Sequence, residues 1–354
     1  MNVKSRKILL PGQKIRALVV DDSVVIRRLV SHALEADHGI EVVGVAAHGG
    51  IALQRIPQLN PDVVTLDVEM PEMDGLETLR HIRRDYPGLR VVMFSTLTER
   101  GGLTTLEALS LGADDYVTKA SNEGSLDRSM VRLREELIPK LRQFFQPPGP
   151  VPDHSAPTPL PPPVPVFTQR SRVLTIGVST GGPNALSLVL PAIPPGFPLP
   201  VLVVQHMPPL FTRLLAERLN ACCRLRVKEA ECGELFTPGT IYVAPGDRHL
   251  RFSSTGRAEL DDGPPMNSCR PAVDALWLSL ASVCAGAVTA VVLTGMGQDG
   301  LRGATALKAQ GARVIAQDEA SSVVWGMPGA VVQAGLADQV LPLDRIAEAL
   351  WQAA

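Results

Sequence analysis

Aromatic residues make up only 4% of this 354-residue chain, and its formal net charge at pH 7 is just −2. With so few rings, a core must be built from Val, Leu, Ile and Ala, a composition suited to parallel sheets covered by helices. The near-neutral charge argues against a general nucleic-acid binder, which carries a basic excess on one face. No apolar run reaches the roughly 18 to 20 residues that cross a bilayer. The opening "MNVKSRKILLPGQK" is basic, but its apolar stretch of three residues is too short for a secretory signal. Cysteine is scarce too. Positions 222, 223, 232, 269 and 284 make an odd set of five with no C-x-x-C spacing, which disfavours a disulfide framework or zinc site and fits a reducing compartment. A cytoplasmic chain without membrane insertion is expected.

Proline, by contrast, is abundant and concentrated. Residues 146–166, "QPPGPVPDHSAPTPLPPPVPV", hold ten prolines in twenty-one positions. Such a stretch packs neither as a helix nor as a central strand, and reads as an extended, semi-rigid spacer. It divides the chain into an N-terminal part over 15–140, a linker over 141–170 and a larger C-terminal part over 171–354. Both flanking parts alternate buried strand patterns with helical ones, which predicts two doubly wound parallel sheets with right-handed crossovers. In the second part, "GTIYVAPGDRHLRF" and "RAELDDGP" interrupt the alternation and predict a hairpin or meander.

In the first part, polar residues sit where buried strands end. Asp21 and Asp22 follow the first strand, Asp67 ends the third, Ser95 the fourth and Lys119 the fifth. Carboxyl ends of parallel strands meet at one sheet edge, where ligands bind. Three carboxylates gathered there repel one another unless a cation joins them, and oxygen ligands suit Mg²⁺. An N-cap role would account for one aspartate, but not for two together with Asp67 and Lys119. The pattern "LVVDDS … TLDVEMPEMDGLE … VVMFST … YVTKAS" resembles the receiver domain of two-component response regulators, a flavodoxin-like fold. That resemblance implies that Asp67 is the phosphoacceptor, that Asp21, Asp22 and Asp67 bind Mg²⁺, and that Ser95 and Lys119 complete the switch. One departure is Ala120, where proline commonly follows the lysine, and it puts the loop geometry there in question.

The second part opens with "RVLTIGVSTGGPNAL", a Gly-rich turn between a strand and a helix. A P-loop needs Lys after the last glycine, and Pro183-Asn184 stands there instead. The dinucleotide pattern fails on glycine spacing, and the next strand ends in Gln205-His206-Met207 rather than in an acid. A serine hydroxyl becomes a nucleophile when a base takes its proton and a carboxylate orients that base. His206 ends the second strand, and Asp299 lies in the "MGQDG" loop after the third, so both fall beside Ser179 at one edge. The N–H groups of Thr180 and Met296 are the candidate oxyanion donors. Taken singly, Ser179 reads as an N-cap, His206 as a core histidine and Asp299 as a turn residue. His249 reads as a surface or substrate-lining residue.

Four segments, "IGVSTGGPNAL", "VVQHMPPLFT", "VVLTGMGQDGLRGATALKAQG" and "AQDEASSVVWGMPGAV", look together like the catalytic domain of chemotaxis protein-glutamate methylesterases, a Rossmann-like fold. The resemblance implies hydrolysis of glutamate methyl esters on chemoreceptors with release of methanol, and deamidation of receptor glutamines. By position, Ser179 becomes the nucleophile, His206 the base and Asp299 its orienter, with no cofactor in this domain. The family more often has histidine at Cys269 and serine at Ala272, differences expected to touch the substrate rim. Methylated chemoreceptors and a chemotaxis histidine kinase are the implied partners of a monomer. The unphosphorylated receiver is expected to cover the active site. The rivals are a response regulator whose second domain only binds a partner or DNA, and a general esterase. The apolar helices "NALSLVLPAI" and "DALWLSLASVC" argue against DNA.

Overall fold

The computed structural model describes residues 9–10, 12–119, 126–145 and 171–353. They fall in two compact units, separated near residue 147. Ala120 and residues 146–170 of the expected linker lie outside the described residues.

The first unit runs β1 (Ile15–Val20), α1 (Val24–Glu35), β2 (Ile40–Ala46), α2 (Gly49–Leu59), β3 (Val63–Asp67), α3 (Gly75–Asp85), β4 (Arg90–Ser95), α4 (Glu99–Ser110), β5 (Asp115–Thr118) and α5 (Leu126–Gln143). Its five strands are parallel in the order β2-β1-β3-β4-β5. Every residue of β3 and β4 is buried, as expected for strands covered on both faces. Local chemistry starts the helices. The side chain of Ser23 accepts from Ile26 N ahead of α1, Asp74 from Glu77 N ahead of α3, and Thr98 from Gly101 N ahead of α4. Packing continues past residue 140, where the linker was expected to begin: Leu141, Phe144 and Phe145 are buried, and the Arg90 guanidinium lies over the Phe144 ring.

Gly75 shows how tightly the β3 end is built. A Cβ there would stand 2.2 Å from the carbonyl oxygen of Asp67, which is backbone and has nowhere to go. Replacing Gly75 with Ala is therefore expected to destabilise this unit by about 1–3 kcal/mol, read as a lower urea midpoint. An unchanged midpoint would show that the α3 start can shift freely.

The second unit contains β6 (Val173–Val178), α6 (Gly182–Val189), β7 (Val201–Gln205), α7 (Pro209–Cys222), β8 (Arg226–Glu229), β9 (Thr240–Val243), β10 (His249–Phe252), β11 (Ala258–Asp261), α8 (Val273–Cys284), β12 (Val288–Val292), α9 (Leu301–Ala309), β13 (Arg313–Gln317), α10 (Met327–Gln333), β14 (Gln339–Leu341) and α11 (Leu343–Ala353). Seven strands form one parallel sheet in the order β14-β13-β12-β6-β7-β9-β8. The region expected to be a hairpin or meander divides in two. Thr240–Val243 is wholly buried and joins the main sheet beside β7, whereas β10 and β11 make the antiparallel hairpin. Trp277 anchors α8 in the core, fully buried, its indole N–H donating to Thr175 Oγ1 at 3.0 Å. Among the described residues no helix is long and apolar enough to cross a membrane.

Candidate functional site

The first unit gathers its polar residues at the carboxyl edge of the sheet. Asp21, Asp22 and Asp67 bring carboxylate oxygens within 4.8 Å of one another. Lys119 Nζ lies 2.8 Å from Asp21 Oδ2 and 2.6 Å from Asp67 Oδ2. Neither Asp21 nor Asp22 caps α1. Ser23 does, while Asp21 Oδ1 accepts from Ser23 N at 2.9 Å. Burial pushes the Asp67 carboxyl up to about 6; Lys119 pulls it down and the Asp21 charge raises it further. A pocket of three acids against one ammonium can take a cation, and this acidic cluster has the donor set for a metal. Ser95 is fully buried, and its hydroxyl donates to the carbonyls of Thr96 (3.2 Å) and Gly101 (3.1 Å) rather than facing the carboxylates.

In the second unit, three neighbouring strands, β12, β6 and β7, end at one edge. β6 delivers Ser179, β7 leads into His206, and the loop after β12 carries Asp299. The turn after Ser179 is sharp because Gly181 takes φ +79°, in the left-handed region that favours glycine. Gly181, not Ser179, is the N-cap of α6, so the capping role does not account for the serine. A Cβ on Gly295 would stand 2.9 Å from Ser179 Cβ, so the loop that continues to Met296 adjoins the serine. Thr180 is buried directly after the serine, and Met296 is exposed.

His206 and Asp299 are joined at 2.8 Å, Nε2 to Oδ2. Asp299 is 2% exposed, and its charge is held by a cage of donors. Oδ2 also accepts from Val273 N at 2.6 Å, and Oδ1 accepts from Asp274 N, Gly300 N and Asn267 Nδ2 at 3.0, 3.0 and 2.9 Å. Burial raises the carboxyl pKa, yet the His206 bond and these amides outweigh it and hold the group below its usual value. For His206 the balance is reversed. Burial lowers the imidazole pKa, but Asp299 and Cys269 overcome it and push it up to about 10. The Ser179 hydroxyl makes no hydrogen bond to His206 in this arrangement. Free enzymes often hold such pairs loosely until substrate arrives.

Two residues outside the expected triad enter the site. Asn267 bridges Asp299 Oδ1 and Asp274 Oδ2, both at 2.9 Å. Cys269, expected at the substrate rim, stands with Sγ 3.4 Å from His206 Nδ1. His249 is neither surface nor lining. It is 1% exposed, its Nε2 3.1 Å from the Pro264 carbonyl and its Nδ1 accepting from Ala272 N. With both nitrogens satisfied, it is a core histidine.

Residues 174–350 match the CheB methylesterase family, and residues 17–130 match the response regulator receiver domain. A protein-glutamate methylesterase/protein-glutamine glutaminase of Trichodesmium erythraeum is 48% identical over 347 residues, covering 95% of this chain and 97% of that one. A protein of the same name from a Nocardioides species is 52% identical, covering 94% and 93%. The crystal structure of the Thermotoga maritima CheB methylesterase catalytic domain is 45% identical, with a TM-score of 0.51, and covers 52% of this chain and 99% of that one.

Proposed function

The chain belongs to the CheB methylesterase family and carries a response regulator receiver domain before its catalytic part, and from that premise we propose that Ser179, His206 and Asp299 are its catalytic triad. It is a protein-glutamate methylesterase with protein-glutamine glutaminase as its second activity, placed in chemotactic adaptation and regulated through the receiver. The observation that carries the residue assignment is the caged His206–Asp299 pair beside the strand end that bears Ser179.

The chemistry follows from the atoms available. Asp299, an acceptor only, takes the Nε2 hydrogen of His206, which leaves Nδ1 as the basic nitrogen. As Ser179 Oγ attacks the γ-carbonyl carbon of a methylated glutamate, its proton passes to the imidazole. The N–H groups of Thr180 and Met296 receive the oxyanion. The imidazolium then returns the proton to the departing methoxide, and methanol leaves. Water, deprotonated by the same base, cleaves the acyl-serine and restores both side chains. With glutamine as substrate the same steps release ammonia.

Asp67 is the phosphoacceptor, its carboxylate attacking the phosphoryl group of a histidine kinase partner. Asp21, Asp22 and Asp67 would hold Mg²⁺, and the ion bound there would offset the charge of the phosphoryl oxygens. Lys119 pairs with the phosphorylated side chain, and Ser95 turns its hydroxyl from the backbone carbonyls towards it. The unphosphorylated receiver restrains the catalytic part. Replacing Asp67 with Asn is expected to remove any change in methanol release on adding a small-molecule phosphodonor with Mg²⁺. A persisting response would place the phosphoacceptor elsewhere. The decisive assay for the whole reading is methanol release from a methylated chemoreceptor fragment, with and without that phosphodonor. Absence of release under both conditions would refute it, and equal turnover of small esters without receptor would favour a general esterase.

A further inference from the structure

The ladder between β6 and β7 stops just short of the proposed triad. Val178 is the last residue of β6 to pair, opposite Gln205, and His206 N donates to Val178 O at 3.3 Å. Beyond that point a side chain takes over. Gln205 Nε2 donates to the Ser179 carbonyl at 3.0 Å and to the His206 carbonyl at 3.4 Å. Two carbonyl oxygens can be met only by the NH₂ end of the amide, which fixes its orientation. Gln205 is 2% exposed. Burying an amide costs free energy that a methionine of similar length would not, so packing alone does not account for glutamine here. Gly182 makes the room: a Cβ there would stand 1.9 Å from Gln205 Oε1.

One peptide group connects this contact to the chemistry. The Ser179 carbonyl and the Thr180 N–H belong to the same planar unit, and in a trans peptide they point in opposite directions. Fixing the oxygen therefore aims the hydrogen. The oxygen is held twice, by Gly182 N at 2.8 Å within the turn and by Gln205 from the neighbouring strand. The first bond closes the turn on itself, with Gly181 at φ +79° and ψ −1° suiting the third place of a type II turn. The second ties the turn to the strand that leads into His206. We infer that Gln205 is a positioning residue for the oxyanion donor, its amide holding the Ser179–Thr180 peptide so that the Thr180 N–H faces the developing negative charge. The inference rests on Ser179 being the nucleophile.

An electronic effect adds to the geometric one. A carbonyl that accepts hydrogen bonds polarises its own peptide, and the N–H at the other end becomes a stronger donor. The charge that forms when the ester is attacked then meets a donor already aimed, with no reorganisation left to make. Gln205 acts wholly through backbone oxygens. Its two bonds leave Ser179 Oγ and both ring nitrogens of His206 to the proton transfers of the mechanism.

The test uses the full-length chain with a small-molecule phosphodonor and Mg²⁺, and compares Gln205→Met with wild type in methanol release from a methylated receptor fragment. A second probe is the trifluoromethyl ketone in which CF₃ replaces the methoxy group of the glutamate ester. It adds a serine oxygen at its carbonyl and places its own oxygen where the oxyanion stands. Gln205→Met is expected to lose about tenfold to a hundredfold in kcat, less than the ~10²–10³ that follows outright removal of an oxyanion donor. KM should change little, and affinity for the ketone should fall by the same factor as kcat/KM. A merely structural loss would not single out the ketone. A folded Gln205→Met chain with native kcat would overturn the inference, and so would a slowed chain that binds the ketone as wild type does. If methionine impairs folding, Gln205→Glu carries the same test, because a carboxylate has the shape of the amide and no donor for the two carbonyls. Turnover that survives loss of Ser179 would refute the triad, whereas an inactive Ser179→Ala beside a fast Gln205→Met would refute only the role of Gln205.

Discussion

Substituting Ser179 with alanine is expected to lower methanol release from a methylated receptor by at least about ten-thousandfold, the scale seen when a triad nucleophile is removed. The substitution deletes one oxygen at a turn whose shape is set by its neighbours. Gly181 supplies the left-handed residue, and Gln205 Nε2 binds the Ser179 carbonyl at 3.0 Å, a backbone contact that alanine keeps. Stability should therefore change little, and the loss should appear in kcat with binding of receptor intact. The measurement is single-turnover methanol release beside a thermal melt. A folded Ser179→Ala chain with near-native turnover would remove the nucleophile from the mechanism.

Asp299→Asn is expected to cost about ten-thousandfold in kcat, comparable to losing the orienting carboxylate of other triads. Here the reason can be counted atom by atom. The two carboxylate oxygens accept five hydrogen bonds, three on Oδ1 and two on Oδ2. An amide has one oxygen, so its NH₂ must face N–H donors on one side. If it faces Oδ2's partners, His206 loses its acceptor and rotates or changes tautomer. If it faces Oδ1's partners, three donors lose theirs. The pH dependence provides a second reading of the same contact. Asp299 and Cys269 hold the imidazole above its usual value, and only the neutral ring is a base, so the wild-type rate should climb with pH as the ring loses its proton, towards a midpoint of about 10. Removing the Asp299 charge takes away a cause of that elevation. The residual rate of Asp299→Asn should thus reach its plateau at lower pH, although the plateau itself is low. A profile unmoved from wild type would show that Asp299 does not set the base.

What the chain reveals in its letters depends on the range of the interaction. Ser179 and its turn are visible because an apolar run stops abruptly at glycines, and Asp67 because buried strands end in acids. These are local events. β9 was misread because "TIYV" sits among turn residues, and only its burial and its parallel partner β7, far away in sequence, make it a sheet strand. β8 and β14 went unseen for a related reason: they are short edge strands whose residues are mostly half-buried or exposed. His249 was misplaced because the groups that satisfy it, the Pro264 carbonyl and the Ala272 N–H, come from a loop whose path the letters do not show. Asn267 draws no notice in the letters, and Cys269 stands out only because the family more often has histidine there. Their significance lies in contacts with Asp299 and His206, 32 and 63 positions distant.

The strand order has one more consequence. β12, β6 and β7, which carry the proposed triad, occupy interior places in a seven-stranded sheet, each bonded to neighbours on both sides. To free any one of them, two ladders must break at once, so local opening there approaches the cost of unfolding the unit. β14 and β8 at the rims have one ladder each and can fray alone. In amide hydrogen exchange, the N–H groups of Ile176, Val203 and Val291 should thus be among the slowest, while those of β14 and β8 exchange early. The hydrolytic centre is seated on the part of the sheet that comes apart last.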